Sequence, residues 1–340
     1  MASPKMGDRI SNYLLEGLLG TGSFAQVWRA RHHTLDKVVA IKILTDPQYV
    51  RNFRQEGVVV HGLRHPNIVR VEDIDAYDDP PYLVMELVDG PSLREAIDAN
   101  PQGLPIPVCQ TVMRGICRAL MAAHEAGLIH RDIKPANILL GHPMDRLESL
   151  PEQAVKVVDF GLGRAGTVTA ASIMQSGSLQ TEEGRSIAGT LAYMSPEQKE
   201  GRATDAKSDL YACGIVLFEM LTGSRPAGSE TPSSVRSSVP AFLDAAFSRC
   251  YTRLDRRIGS ARELLDAIRG TADGPERASR SGRATCRSCR GPVHDDDQFC
   301  IHCGYQLVDS IPRCSACHAF ANQTDRYCIF CGTELKPVAD

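Results

Sequence analysis

The sequence predicts an α+β protein of two lobes and a tail. A β-rich lobe covers about residues 8–88, a helical lobe about 89–270, and two small ribbon-like units occupy 285–335. Three observations carry this division. Short β-branched runs fill the first quarter, helical periodicity takes over from Ser92, and four C-x-x-C pairs crowd the chain after residue 285.

Runs at 38–44, 68–74 and 82–88 gather Val, Ile and Leu between turn residues, as strands of a largely buried sheet do. Within that lobe the stretch 50–63 has helical character. Ser92 stands where an N-cap belongs, ahead of a run to residue 99, and 108–126, 208–221 and 261–268 carry apolar residues at helical spacing. Residues 271–284, TADGPERASRSGRA, offer almost nothing to bury and read as a flexible linker.

A chain of 340 residues accommodates one large two-lobed unit and an appendage. Its formal net charge of −3 provides no global basic field, so nucleic acid and anionic membrane surfaces are not expected partners. Apolar stretches fall well short of the roughly 20 residues of a membrane span, and residues 1–10 contain no apolar export segment. The expectation is a cytoplasmic protein without a membrane segment. Cys109, Cys117, Cys213 and Cys250 sit singly among apolar neighbours and read as core thiols.

Gly20-Thr21-Gly22-Ser23-Phe24-Ala25-Gln26-Val27 falls where one strand turns back on the next, and glycines there let backbone N–H groups approach phosphate oxygens. Alone, it describes an ordinary hairpin equally well. Fifteen residues later the run Val39-Ala40-Ile41 ends in Lys42. A lysine suits such a strand when it meets phosphate and a carboxylate, and Glu56 is the candidate carboxylate. A snorkelling Lys42 and a solvated Glu56 are the plain alternative.

His130-Arg131-Asp132-Ile133-Lys134-Pro135-Ala136-Asn137 is followed by Asp159-Phe160-Gly161 and then by Ser195-Pro196-Glu197. In this order the three pieces resemble the catalytic loop, the metal-binding turn and the end of the activation segment of protein kinases. The resemblance spans about 8–270. With its compact helical lobe and Pro196-Glu197-Gln198 ending, the chain is similar to bacterial Hanks-type (eukaryotic-like) Ser/Thr kinases. It implies the two-lobed protein-kinase fold and ATP-dependent transfer of the γ-phosphate to Ser/Thr hydroxyls of protein substrates.

By the same resemblance, Asp132 orients the acceptor hydroxyl and takes its proton, and Lys134 approaches the γ-phosphate. Asn137 and Asp159 are hard oxygen ligands for Mg²⁺, and Lys42, held by Glu56, contacts the α- and β-phosphates. Lys134 and Thr190 fit Ser/Thr specificity. Gly20 and Gly22 cover the phosphates. Met85 is the gatekeeper before the hinge Glu86-Leu87-Val88, whose backbone bonds adenine between Val27, Ala40 and Leu139. Asp209 braces the catalytic loop, and Arg257 pairs with Glu197.

Two residues depart from the family pattern. Ala25 stands at the third glycine of the nucleotide loop, and Gly57, next to Glu56, weakens its helix by about 1 kcal/mol, pointing to a switchable Lys42–Glu56 pair. Between 161 and 189 the chain is rich in Thr, Ser, Gly and Ala and is expected to be disordered until modified. A phosphate on Thr181 or Ser186 would pair with Arg131 and order it. Residues 141–154 read as a surface hairpin insertion.

Cys286/Cys289 with Cys300/Cys303 recur as Cys314/Cys317 with Cys328/Cys331, two sets of four thiolates suited to two structural Zn²⁺ ions. Disulfides are the alternative. Ten residues separate Cys289 from Cys300 and also Cys303 from Cys314, so spacing alone leaves the pairing open. The Cys-Gly endings at 303–304 and 331–332 favour two sequential units resembling the double zinc-ribbon family. His294, His302 and His318 lie nearby as alternative ligands. Acidic residues outnumber Lys and Arg in the tail, which favours a protein partner or autoregulation over nucleic acid. Two competing functions remain: a kinase-fold scaffold whose zinc tail recruits a protein, and a small-molecule phosphotransferase, against which the Ser195-Pro196-Glu197 segment and Thr190 weigh.

Overall fold

Among the described residues, six strands build the first lobe: β1 (Arg9–Ile10), β2 (Tyr13–Thr21), β3 (Ala25–His32), β4 (Val38–Leu44), β5 (Val71–Asp75) and β6 (Tyr82–Glu86). They pair antiparallel in the order β1-β2-β3-β4-β6-β5. The computed structural model describes residues 4–22, 25–46, 50, 53, 61–160 and 191–270, and in the tail 284–289, 292–293, 305 and 307. The chain divides into two compact units, Met1–Gly274 and Pro275–Asp340.

The period of two sorts β4 into two faces. Val39, Ile41 and Ile43 join Leu15, Trp28 and Val84 in an apolar layer of the sheet's own. Ala40 and Leu44 belong to the main core shared with the helices, and Lys42 lies between them in sequence on that same side. Ala25 is buried inside β3 opposite Leu44, a strand position that has no need of glycine.

Two expected strands are shorter than their apolar runs. Residues 67–69 bond to Val157 through Val157 N to Asn67 O (2.8 Å) and Val69 N to Val157 O (3.0 Å), so β5 begins only at Val71. The strand predicted over 82–88 stops at Glu86, where the chain crosses to the helical lobe. Gly90 is required in that crossing: its φ is +154°, and a Cβ there would stand 1.9 Å from the Leu140 carbonyl oxygen.

The second lobe contains α1 (Leu93–Asp98), α2 (Ile106–Glu125), α3 (Pro196–Lys199), α4 (Ala206–Thr222), α5 (Pro232–Val235), α6 (Ala241–Cys250) and α7 (Ala261–Ile268). Ser92 caps α1 in a reciprocal capping box with Glu95. Every residue of α4 from Ser208 to Thr222 is buried, so this helix is the axis on which α2 and α6 pack. It starts earlier than its apolar pattern because Asp205 caps it, accepting the Lys207 N–H at 2.8 Å. The sequence reading passed over α6, although Leu243, Ala246, Phe247 and Cys250 repeat at helical spacing and are buried.

Two short strands, β7 (Ile138–Leu140) and β8 (Val155–Val157), pair antiparallel between α2 and α3. The segment joining them, 141–154, closes a hairpin as expected, but it does not lie wholly at the surface. It forms two 3₁₀ turns, Met144–Ser149 and Glu152–Ala154, and Leu147 and Leu150 join the main core. Glu152 pairs with Arg114 and Arg118 of α2, and Asn67 donates to the Glu152 and Val155 carbonyls. In the tail, β9 (Ala284–Thr285) pairs antiparallel with β10 (Pro292–Val293).

Candidate active site

The loop between α2 and β7 carries Asp132, and a buried carboxylate of α4 sets its shape. Asp209 accepts the His130 N–H at 2.9 Å on Oδ2 and the Arg131 N–H at 2.7 Å on Oδ1. Its Oδ2 also meets His124 Nε2 at 2.8 Å. Arg131 has φ of +67°, a left-handed conformation that costs a non-glycine residue on the order of 1 kcal/mol or more. Two charge-assisted bonds to one fixed carboxylate offset that cost.

His130 completes the frame. Its Nδ1 accepts the Asp132 N–H at 3.2 Å, so Nε2 carries the proton and donates to the Val158 carbonyl at 2.8 Å. The ring lies 4.5 Å from that of Phe160, beside Asp159. One histidine thereby joins the loop holding Asp132 to the turn holding Asp159.

At Asp132 the structure gathers three predicted residues. Asn137 Nδ2 donates to the Asp132 carbonyl at 2.8 Å and to its Oδ2 at 3.0 Å, and Lys134 Nζ lies 2.8 Å from the same Oδ2. These contacts fix the carboxylate's orientation. The Asn137 side chain donates through its nitrogen, which leaves its carbonyl oxygen for a cation.

Lys42 and Asp159 form the second centre, with Nζ to Oδ1 at 2.7 Å. Lys42 is only 4 % exposed, and Asp159 takes a left-handed φ of +61°. Burial alone would raise the Asp159 carboxyl. Lys42, with His130 and Lys134 farther off, outweighs it and holds the group below the usual carboxylate range. Glu56, the expected partner of Lys42, lies outside the described residues, as do Gly57, Gly161, Thr181, Ser186 and Thr190.

The predicted nucleotide-binding residues converge on the same region. Gly20 pairs with Val27, Val27 with Lys42, and Ala40 with Met85, while Val39 pairs with Glu86. Leu139 of β7 bridges to Ser92 just past the crossing, and Val27, Val88 and Leu139 are half-buried against the main core. A nucleotide and a divalent cation fit this set. Among the described residues a Cβ on Gly20 would meet nothing within 4 Å and one on Gly22 only the Ala25 carbonyl oxygen at 3.4 Å, so packing against these residues does not demand the glycines. Asn137 and Asp159 offer hard oxygen donors of the kind Mg²⁺ prefers.

Behind the loop that carries Asp132, Arg257 holds Glu197 through two bonds of 2.6 and 3.1 Å, with Ser208 Oγ donating to Glu197 at 2.9 Å. Burial would raise Glu197, but Arg257 and the hydrogen bonds bring it down to about 2. Gln198, next in the chain, donates to the Arg131 carbonyl at 2.9 Å and ties this helix to the loop that carries Asp132. Sequence reasoning named Gln198 only as part of a motif and missed His124, Asn67 and Lys156. Of these Lys156 left a signal, a lysine alternating with Val155 and Val157 ahead of Asp159.

Cys109, Cys117, Cys213 and Cys250 are fully buried in the helical lobe. Burial pushes the Cys109 and Cys250 thiols up to about 12 and the others higher, which suppresses thiolate chemistry. Of the predicted zinc ligands, Cys286 and Cys289 are described. They occupy the turn between β9 and β10, Cys286 is buried against Leu307, and the Ser288 N–H donates to Cys286 Sγ at 3.4 Å. Cys300, Cys303, Cys314, Cys317, Cys328 and Cys331 lie outside the described residues, as do His294, His302 and His318. Among the described residues no group of three or more His, Cys, Asp or Glu is placed to hold a metal, and no helix is long and apolar enough to cross a membrane.

Residues 13–268 match the family described as the protein kinase domain. The chain is 37% identical over 245 residues to the serine/threonine-protein kinase PknB of Mycolicibacterium smegmatis, covering 69% of this chain and 36% of the relative. It is 38% identical over 232 residues to PknB of Mycobacterium tuberculosis, covering 66% and 34%. It is 39% identical over 236 residues to the serine/threonine-protein kinase PrkC of Bacillus subtilis, covering 68% and 33%. The chain thus spans about a third of the length of these relatives.

Proposed function

The chain belongs to the protein kinase family, and from that premise we propose that it is an ATP-dependent Ser/Thr protein kinase acting on hydroxyl side chains of protein substrates. The observation that carries the reading is the fixed Asp132 carboxylate, held by Asn137 with Lys134 at 2.8 Å. Asp132 takes the proton of the acceptor hydroxyl as its oxygen bonds the γ-phosphorus and the bond to the ADP oxygen breaks. Lys134 offsets negative charge beside that oxygen. Lys42, drawn from Asp159 toward phosphate, anchors the α- and β-phosphates. Asn137 and Asp159 would hold Mg²⁺, which supplies neutralisation of phosphate charge when bound.

Purified protein incubated with Mg²⁺ and labelled ATP tests this. Label on Ser or Thr is expected from the wild type and a loss of at least about a hundredfold from Asp132→Asn, the scale of removing a positioned base. Wild-type protein that labels neither itself nor a generic acceptor would overturn the reading.

We further infer that the tail binds two structural Zn²⁺ ions through its eight paired cysteines and engages a protein partner or the chain's own kinase unit. The turn geometry at Cys286 and Cys289, with a backbone N–H donating to sulfur, suits a thiolate pair on one metal. Such thiolates persist in a reducing compartment, in keeping with a cytoplasmic kinase unit. Phosphate on Thr181 or Ser186 would regulate activity through Arg131, whose Nε contacts Thr204 at 3.1 Å.

A further inference from the structure

Lys156 takes no part in the phosphate chemistry, yet it sits three residues before Asp159 on the strand that delivers it. Val155 and Val157 point into the core and are fully buried, so the alternation of β8 turns Lys156 to the opposite side. There its Nζ reaches Glu86 Oε1 at 2.8 Å, with the two side chains 19 % and 23 % exposed.

Glu86 ends β6 and opens the crossing between the lobes. Its Oε1 also accepts the Arg70 N–H at 3.0 Å, and its own N–H donates to the Arg70 carbonyl at 3.0 Å. Residues 67 and 69, just before Arg70, carry the two backbone bonds to Val157. The bonds close a ring: Glu86 to Arg70, the chain back to 69 and 67, across to Val157, and through Lys156 to Glu86 again. Without the ion pair the ring is open, and β8 is joined to the crossing segment through the 67–70 stretch on one side and through β7, which meets residues 91 and 92, on the other.

We propose that the Lys156–Glu86 ion pair is a positioning contact for the nucleotide, fixing the span between the crossing backbone at 86–88 and the phosphate end at Lys42 and Asp159. The inference rests on the kinase reading above. ATP is held at both ends of this span, whereas the acceptor hydroxyl meets Asp132 on a loop braced separately by Asp209. Loss of the pair therefore weakens ATP binding and spares acceptor binding.

The test compares initial rates of wild type, Lys156→Met, Lys156→Arg, Glu86→Gln and the Glu86→Gln/Lys156→Met double variant, with MgATP and casein as substrates. Binding of a fluorescent ATP analogue with Mg²⁺ gives a readout independent of turnover. Lys156→Met is expected to raise KM for ATP and the analogue's Kd roughly fivefold, the coupling typical of one half-buried charge pair. KM for casein stays unchanged and kcat moves less than about twofold. Lys156→Arg restores the ATP values, Glu86→Gln matches Lys156→Met, and the double variant is no worse than either. Unchanged ATP values in Lys156→Met, equal rises for ATP and casein, or additive losses in the double variant would overturn the inference while leaving the kinase reading intact. A wild type with neither turnover nor nucleotide binding would overturn both. Should Lys156→Met not fold, Glu86→Gln and Lys156→Arg carry the same comparison.

Discussion

Arg257→Met removes the cation from a pair that is almost wholly buried, with the two side chains 0 % and 1 % exposed. The magnitude follows from the carboxylate left behind. Glu197 is lowered from its ordinary 4.5 to about 2 in the folded protein. That difference of about 2.5 units corresponds to roughly 3 kcal/mol of stabilisation at neutral pH. Without Arg257, Ser208 still donates, but burial then dominates and the carboxylate becomes a destabilising charge. The expected loss at pH 7 is about 3–5 kcal/mol, the range for breaking one side of a buried ion pair. A depressed folded value places the stabilisation above about 4.5, and it disappears as pH falls toward about 2. The gap between wild type and variant therefore narrows through that window. Urea unfolding by circular dichroism at several pH values measures it, with fluorescence of Trp28, the single tryptophan, following the sheet. A Glu197→Gln/Arg257→Met double variant should lose less than Arg257→Met, since no buried charge remains. A deficit below about 1 kcal/mol at pH 7, or one that does not change with pH, would refute the account.

Two other outcomes are expected. A chelator stripping the tail should release about two zinc equivalents per chain and remove tail structure, and wild-type protein purified with no zinc by metal analysis would exclude those sites. Substituting both Thr181 and Ser186 by Ala should lower activity at least tenfold if phosphate there orders the segment, and unchanged activity in labelled-ATP assays would remove both residues from the regulatory account.

What could be read in the sequence followed the range of the interactions. Lys42 was legible because a lysine inside an apolar strand needs an anionic reason to be there, and its burial in the structure is the result. Its contact with Asp159 was not. The carboxylate it meets among the described residues, Asp159, is 117 positions away, and only folding brings the two together. Segment 141–154 looked like surface because it mixes Gly, Pro and charges. Its role depends on Leu147 and Leu150, three residues apart, and on Glu152 finding two arginines on α2. Asn67 was invisible for the same reason: its amide acts on two remote carbonyls, which leaves no pattern in the chain.

The placement of carboxylates explains why the site demands a helix buried on all sides. Asp132, Asp159 and Glu197 each face a cationic side chain, respectively Lys134, Lys42 and Arg257. Asp209 differs, for its two oxygens receive the backbone N–H groups of His130 and Arg131, which belong to the loop being held. An Asn in its place would keep one acceptor oxygen and present an amide N–H to the other backbone N–H, replacing attraction by a clash of donors. The left-handed turn at Arg131 would then lack one of the two bonds that offset its strain. A carboxylate can impose that turn only if it does not move itself. The burial of α4 from Ser208 onward makes Asp209 such a fixed point, and the orientation of Asp132, one residue beyond Arg131, depends on it.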